Sequence, residues 1–260
     1  MLLSRKMRVL TIGDVIGKPG RAAVGELLPG LCSEHGIGLV IANGENAAGG
    51  LGLTLSTARE LFDAGVDVIT SGNHIWAHRE IVPYLDSELA LLRPLNYPPN
   101  PGRGYLFAGN VLVVNLLGRV FLGHYDCPFR AMDQLLDSLE DKSVPIIVDF
   151  HAEATSEKVA MGRYLAGRVS AVLGTHTHVG TIDTQILPGG TAYVSDIGMV
   201  GPIDSVIGVE PDPAIHNFLT QIWRRLPAAK GKVSFDAVLV DIDDNTSRAT
   251  DIRRIRRVVN

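Results

Sequence analysis

At 260 residues, 46% hydrophobic and 20% charged, the chain has a globular composition and ample length for a sizeable core. A formal charge of -4 gives no broad basic footprint for nucleic acid, and two cysteines, Cys32 and Cys127, exclude a disulfide framework or a four-cysteine zinc site and point to a reducing cytoplasm. The basic N-terminus lacks the apolar segment of a secretory signal, and no apolar run approaches the roughly 20 residues that span a bilayer, so a cytoplasmic protein without membrane contact is expected.

In chain order, residues 1–6 read as an extension and β-branched apolar runs then predict strands at 8–13, 39–42, 66–71, 111–116, 145–150, 169–174 and 192–196. Between them, 21–35, 56–64, 132–140 and 156–166 read as helices. Ser56 and Ser156 stand where N-caps belong, and Gly36, Gly65 and Gly167 follow as C-cap glycines. A last helix over 213–225 leads to a strand at 233–242, a turn at 243–246 and a closing strand. This alternation predicts a layered α/β sandwich with mixed sheets, and nothing splits 1–260 into more than one domain.

In such folds functional groups collect beyond the carboxyl ends of the strands. The first predicted strand runs into Gly13-Asp14, the second into Asn43-Gly44-Glu45-Asn46, and the third into Gly72-Asn73-His74. His151 directly follows Phe150, and Gly174-Thr175-His176-Thr177-His178 comes next. Taken singly, each has a plain explanation: Asp14 as a turn residue, Glu45, Asn46 and Asn73 as loop polars, His151 as a hydrogen-bonded histidine. His176 and His178 are harder to set aside, because residues two apart in an extended segment face the same way. Together these residues offer only oxygen and nitrogen ligands. Hydrolysing a phosphoester at neutral pH needs a hydroxide nucleophile and neutralised phosphoryl oxygens, and two ions about 3.5–4 Å apart supply both. Glu45 is the bridging carboxylate in this reading; mixed carboxylate, amide and imidazole ligands suit iron, manganese or zinc, and the absence of thiolates argues against a structural zinc site.

The order Gly-Asp, acidic bridge, Gly-Asn-His, lone His and His-x-His resembles the calcineurin-like metallophosphoesterase superfamily. The segments IGDVIGKPGR, NGENAAGGLGLT, SGNHIW, DFHAEATSEK, LGTHTHVGT and SDIGMVGP are similar to those of the YmdB-like bacterial metallophosphoesterases. Two departures from the superfamily stand out. Asp14-Val15-Ile16 lacks the histidine of the usual Asp-x-His, and Gly44-Glu45-Asn46 replaces Gly-Asp. Asn46 is inferred to take the vacated coordination place. The resemblance implies one metal on Asp14, Glu45, Asn46 and His178, a second on Glu45, Asn73, His151 and His176, and His74 as general acid. It also implies iron as the metal and a phosphodiesterase acting on a small phosphoester, a cyclic nucleotide (a 2',3'-cyclic monophosphate or cAMP), in a homo-oligomer. Phosphomonoester hydrolysis and a non-catalytic nucleotide-binding role are the alternatives. A metal-dependent amidohydrolase would place its His-x-His on the first strand instead of late in the chain.

Other residues carry less. The loop 44–52 lacks the Gly-Lys-Ser/Thr ending of a P-loop. His35 sits at a helix end and His216 on the last helix, while His78 and His124 are open to either a cleft or a packing role. Asp149 and Asp196 are candidates to orient histidines. Arg253, Arg254, Arg256 and Arg257 read as a solvated strand face more readily than as an RNA patch.

Overall fold

A computed structural model describes residues 6–260; of the expected extension, residues 1–5 lie outside this range and Lys6 already belongs to a strand. The first strand, β1 (Lys6–Ile12), shows how the layers arise. Val9 points to one face, and Leu10 and Ile12 to the other, so each side of the strand meets a different core. Next come β2 (Asp14–Val15), α1 (Gly17–His35), β3 (Leu39–Asn43), α2 (Leu55–Asp63) and β4 (Val68–Thr70). The middle of the chain supplies β5 (Tyr105–Ala108), β6 (Val111–Leu117), α3 (Pro128–Ser138), β7 (Ile146–His151), α4 (Thr155–Leu165) and β8 (Ala171–Thr175). The remainder adds β9 (Gln185–Leu187), β10 (Thr191–Val194), β11 (Met199–Pro202), α5 (Pro211–Thr220), β12 (Val233–Asp243) and β13 (Ala249–Val259).

These strands form two mixed sheets. One has the order β2-β11-β12-β1-β3-β4 with β13 on β12, and the other β5-β6-β7-β8-β10-β9. β1, β3 and β4 run parallel, as do β6, β7, β8 and β10, while β12 is antiparallel to β1, β11 and β13. Val9, Ile41, Val238 and Val240 meet Val113, Ile147 and Leu173 between the sheets. Outside the first sheet, Leu10 and Leu239 pack against Val24 and Leu28 of α1 and Leu61 of α2. Outside the second, Leu112, Val148 and Phe150 pack against Met132 of α3 and Met161 of α4. The result is the expected α/β sandwich, with helices on the two outer faces.

Several boundaries differ from expectation. α1 starts at Gly17, because Pro19 in a first turn gives up only an amide that has no intrahelical partner there. α3 likewise starts early, at Pro128. Ser56 and Ser156 are not caps. Thr54 caps α2 in a reciprocal box with Thr57, and Ala154 precedes α4 without a side-chain cap. α5 stops at Thr220, where Gln221 turns left-handed at φ 56°, so 221–225 is not helical. Gly36, Gly65 and Gly167 do take positive φ behind their helices. No helix among the described residues is long and apolar enough to cross a membrane.

Candidate active site

The parallel strands of both sheets deliver their next residues to one place. Asp14 follows β1, and Glu45 and Asn46 follow β3. Asn73 and His74 follow β4, His151 ends β7, and His176 and His178 follow β8. Asp14, Glu45 and His151 are fully buried. Two glycines make room for this convergence: a Cβ on Gly13 would come 2.0 Å from the Gly198 carbonyl oxygen, and one on Gly72 would come 2.2 Å from Glu45 Oε2 and 2.3 Å from the His151 ring. His176 and His178 both have positive φ, 99° and 65°, a conformation that costs side-chain-bearing residues and is held here by the surroundings.

Each of the three strand-end histidines spends one ring nitrogen on the protein. Thr175 donates its hydroxyl hydrogen to Asp149 Oδ1 at 2.6 Å, so the Thr175 oxygen accepts from His151 Nδ1 at 2.9 Å. His178 Nδ1 donates to the Ile207 carbonyl at 2.7 Å, and His176 Nε2 lies 3.0 Å from Glu153 Oε2. In the neutral rings these bonds leave His151 Nε2, His176 Nδ1 and His178 Nε2 bare and aimed inward. His151 Nε2 and His176 Nδ1 are 2.9 Å apart, and His151 Nε2 is also 2.9 Å from Glu45 Oε1. Two bare nitrogens at that separation need a proton or a cation between them.

The oxygens make the same demand. Asp14 Oδ1, Glu45 Oε1 and Asn73 Oδ1 are buried without a hydrogen-bond donor. Their companions are satisfied: Asp14 Oδ2 accepts from the His176 amide at 3.0 Å and Glu45 Oε2 from the His74 amide at 3.1 Å. Glu45, His151 and His176 present ligand atoms all within 4.8 Å of one another, a group that could hold a metal ion. Asp14 Oδ1 lies 3.8 Å from His178 Nε2 on the other side of the cluster. Asn46 is oriented less simply. Its Nδ2 lies 3.1 Å from His178 Nε2 and its Oδ1 3.2 Å from His74 Nδ1, so a metal beside His178 would require rotation of the amide to bring the oxygen round.

The electrostatics are those of a site built around positive charge. Burial pushes the Asp14 carboxyl up to about 6, against the pull of His178 and His151. Burial also pushes Glu45 up, but His151 and His74 more than reverse it and hold it at about 2. For His151, burial lowers the pKa while Glu45, Asp14 and Asp149 together carry it to about 9. His176 is driven down to about 3 by burial and by the neighbouring His151 charge. His74 is lowered as well, with burial outweighing Glu45.

Asp14, Glu45, Asn46, His74, His151, His176 and His178 therefore meet at one cluster, and Asn73, next to His74 in the chain, adds a buried oxygen without a donor. Asp149 orients His151, though through Thr175, and Asp196 accepts from the Thr177 amide and hydroxyl instead of from a histidine. His78 borders the adjoining cavity and pairs with the Leu51 carbonyl, whereas His124 lines a different surface hollow. The loop 44–52 contributes Ala48, Gly49, Gly50 and Leu51 to the cavity wall. Arg253 and Arg256 pair with aspartates of β12, Arg257 lies beside Glu34, and Arg254 grips backbone carbonyls behind the site. Sequence reading missed Asn43, whose Oδ1 accepts from the Glu45 amide and whose amide donates to Asp149, along with Thr175, Glu153 and Trp223. Thr175 and Asn43 had a local signal, since each lies in a strand-end segment beside proposed ligands, and Glu153 follows His151 by two; Trp223 had none. The cavity itself measures about 710 Å³ and runs from His74, His176 and His178 to Ile207, Trp223 and Leu226.

Comparison with known proteins gives this geometry a lineage. The family model described as "YmdB-like protein" matches residues 10–255. The 2',3'-cyclic-nucleotide 2'-phosphodiesterase of Bacillus subtilis is 46% identical over 254 residues, covering 96% of either chain. Among solved structures, a hypothetical protein from Thermus thermophilus superposes with a TM-score of 0.92 at 45% identity, covering 98% of this chain and 100% of that one. A novel phosphatase from Mycoplasma pneumoniae superposes with a TM-score of 0.93 at 35% identity, covering 98% and 95%. The chain belongs to the YmdB-like protein family and is a phosphoric ester hydrolase.

Proposed function

We propose that the chain is a two-metal phosphodiesterase whose substrates are cyclic nucleotides, with 2',3'-cyclic monophosphates foremost. One observation carries the metal reading: the inward nitrogens of His151 and His176 lie 2.9 Å apart beside Glu45 Oε1, and the oxygens Asp14 Oδ1 and Glu45 Oε1 are buried there without a hydrogen-bond donor. Asp14, Glu45, Asn46 and His178 would hold one ion, and Glu45, Asn73, His151 and His176 the other, with iron the metal that the family resemblance favours. When bound, the ions supply charge for the phosphoryl oxygens and activate water.

The chain's own residues do the rest. Thr175, Glu153 and the Ile207 carbonyl fix which nitrogen each histidine turns inward. Asn43 fixes the Glu45 backbone. The His74 ring lines the cavity beside Glu45 and Asn46, from where it would give its proton to the departing oxygen of the ester. A bound phosphate anion would raise the His74 pKa and favour the charged, proton-donating form. The cyclic-nucleotide assignment is supported by the 46% identical relative, which is named for that activity.

Purified protein is expected to carry close to two transition-metal ions per chain by elemental analysis, and Glu45→Ala to lose most of both. It should cleave a cyclic nucleotide faster than a phosphomonoester or an amide. Full activity in a metal-free preparation would end the two-metal reading.

A further inference from the structure

We propose that Trp223 is the stacking platform for the nucleobase of the substrate, an inference that rests on the cyclic-nucleotide reading above. After α5 the chain does not run loose. Asn217 clamps Arg224 through both backbone groups, accepting from its amide at 2.7 Å and donating to its carbonyl at 3.0 Å. The Ile222 amide donates to Thr220 Oγ1 at 3.1 Å, and further on the Glu210 amide donates to the Pro227 carbonyl at 3.0 Å. The ribbon between these ties sets Trp223 on the wall of the cavity that holds His74, His176 and His178. Trp223 is nonetheless 76% exposed.

A firmly anchored tryptophan with most of its surface open, beside a candidate catalytic centre, is an apolar face awaiting a flat partner. Leu51, itself 49% exposed, lines the same cavity and is available for the edge of a bound base. Arg225 lines it too, and among the described residues it has no hydrogen-bond or ion-pair partner, which leaves a positive charge for an anionic ligand. The cavity volume of about 710 Å³ is within the range usual for small-molecule sites. Aromatic stacking tolerates any base, because every base has a π-face. The wall therefore selects nucleotides as a class without choosing among them, and Trp223 is a specificity-determining residue.

The test compares adenosine 2',3'-cyclic phosphate with ribose 2,3-cyclic phosphate, which lacks the base. In Trp223→Ala the ratio of kcat/KM for the nucleotide to that for the sugar phosphate should fall about tenfold, mainly through KM, whereas Trp223→Phe should retain most of it. The chain has two tryptophans, so fluorescence gives a second readout. Adenosine 3'-monophosphate should quench wild-type emission, Trp223→Phe should abolish that quench, and ribose 3-phosphate should quench neither protein. An unchanged ratio overturns the inference. So does an unchanged ratio accompanied by a changed sedimentation coefficient, which would place Trp223, with exposed Phe218 and Leu219, between copies of the chain. Wild type that cleaves neither cyclic phosphate but is quenched by the nucleotide overturns the phosphodiesterase reading and leaves the stacking inference standing.

Discussion

His74 and Asn73 are neighbours with different proposed work, and the distinction can be measured. A leaving-group acid contributes about 10²- to 10⁴-fold where the departing alkoxide is poor, and little where it is good. His74→Ala should keep its metal and lose kcat steeply on ribonucleoside cyclic phosphates while changing little on nitrophenyl esters. Equal losses on both, with metal retained, would leave His74 only a role in phosphate positioning. Ile16, which stands where the superfamily has a histidine, is tightly enclosed. Its side chain is 1% exposed and fills the space over Gly201 and Gly208, where a Cβ would come within 2.9 Å of it. A larger ring at that position would press on the backbone at Gly201 and Gly208.

The segment from β8 to β10 carries His176 and His178, and its shape depends on one buried aspartate. Asp196 accepts from Lys158 Nζ at 2.6 Å, from the Thr177 hydroxyl at 2.7 Å and from the Gly198 amide at 2.8 Å. Lys158 and Asp196 are both nearly inaccessible to solvent. Lys158→Met strands the carboxylate and should cost about 3–5 kcal/mol, which a thermal melt would read as a fall of about 6–20 °C in Tm. Adding Asp196→Asn should restore part of it; a single variant that melts like wild type would show the pair to be unimportant. At this scale the sequence was partly legible. The β-branched runs marked the long strands, and the residues just past them are those the fold gathers. The short strands β2, β5, β9 and β11 escaped because so few residues carry no period. The helix expected over 213–225 followed apolar spacing that continues past Gln221, whose left-handed turn overrides it and turns Trp223 out to the cavity. Partners such as Asn43 and Asp149, 106 positions apart, leave no local trace.

Across the whole molecule, the proposed ligands are divided between the sheets: Asp14, Glu45, Asn46 and Asn73 come from the first, and His151, His176 and His178 from the second. Ions held there would bind the folded state alone. At a free metal concentration of 1,000 Kd that stabilises by about 4.1 kcal/mol, so chelation should lower Tm by about 8–16 °C, and Glu45→Ala should melt alike with and without chelator. A wild-type Tm indifferent to chelation would mean that nothing bridges the sheets. The register of β1 has a consequence in time. Its residues Lys6 to Ile12 pair with Asp243 to Ala237, and the amide of Gly13, next to Asp14, donates to the Asp236 carbonyl. Those partners are made more than two hundred residues later. At roughly 5–20 residues per second, a ribosome holds the finished N-terminal half for on the order of ten seconds before β12 emerges. Throughout that interval one edge of β1 lacks its neighbour, and its unpaired backbone is open to wrong pairing until β12 arrives.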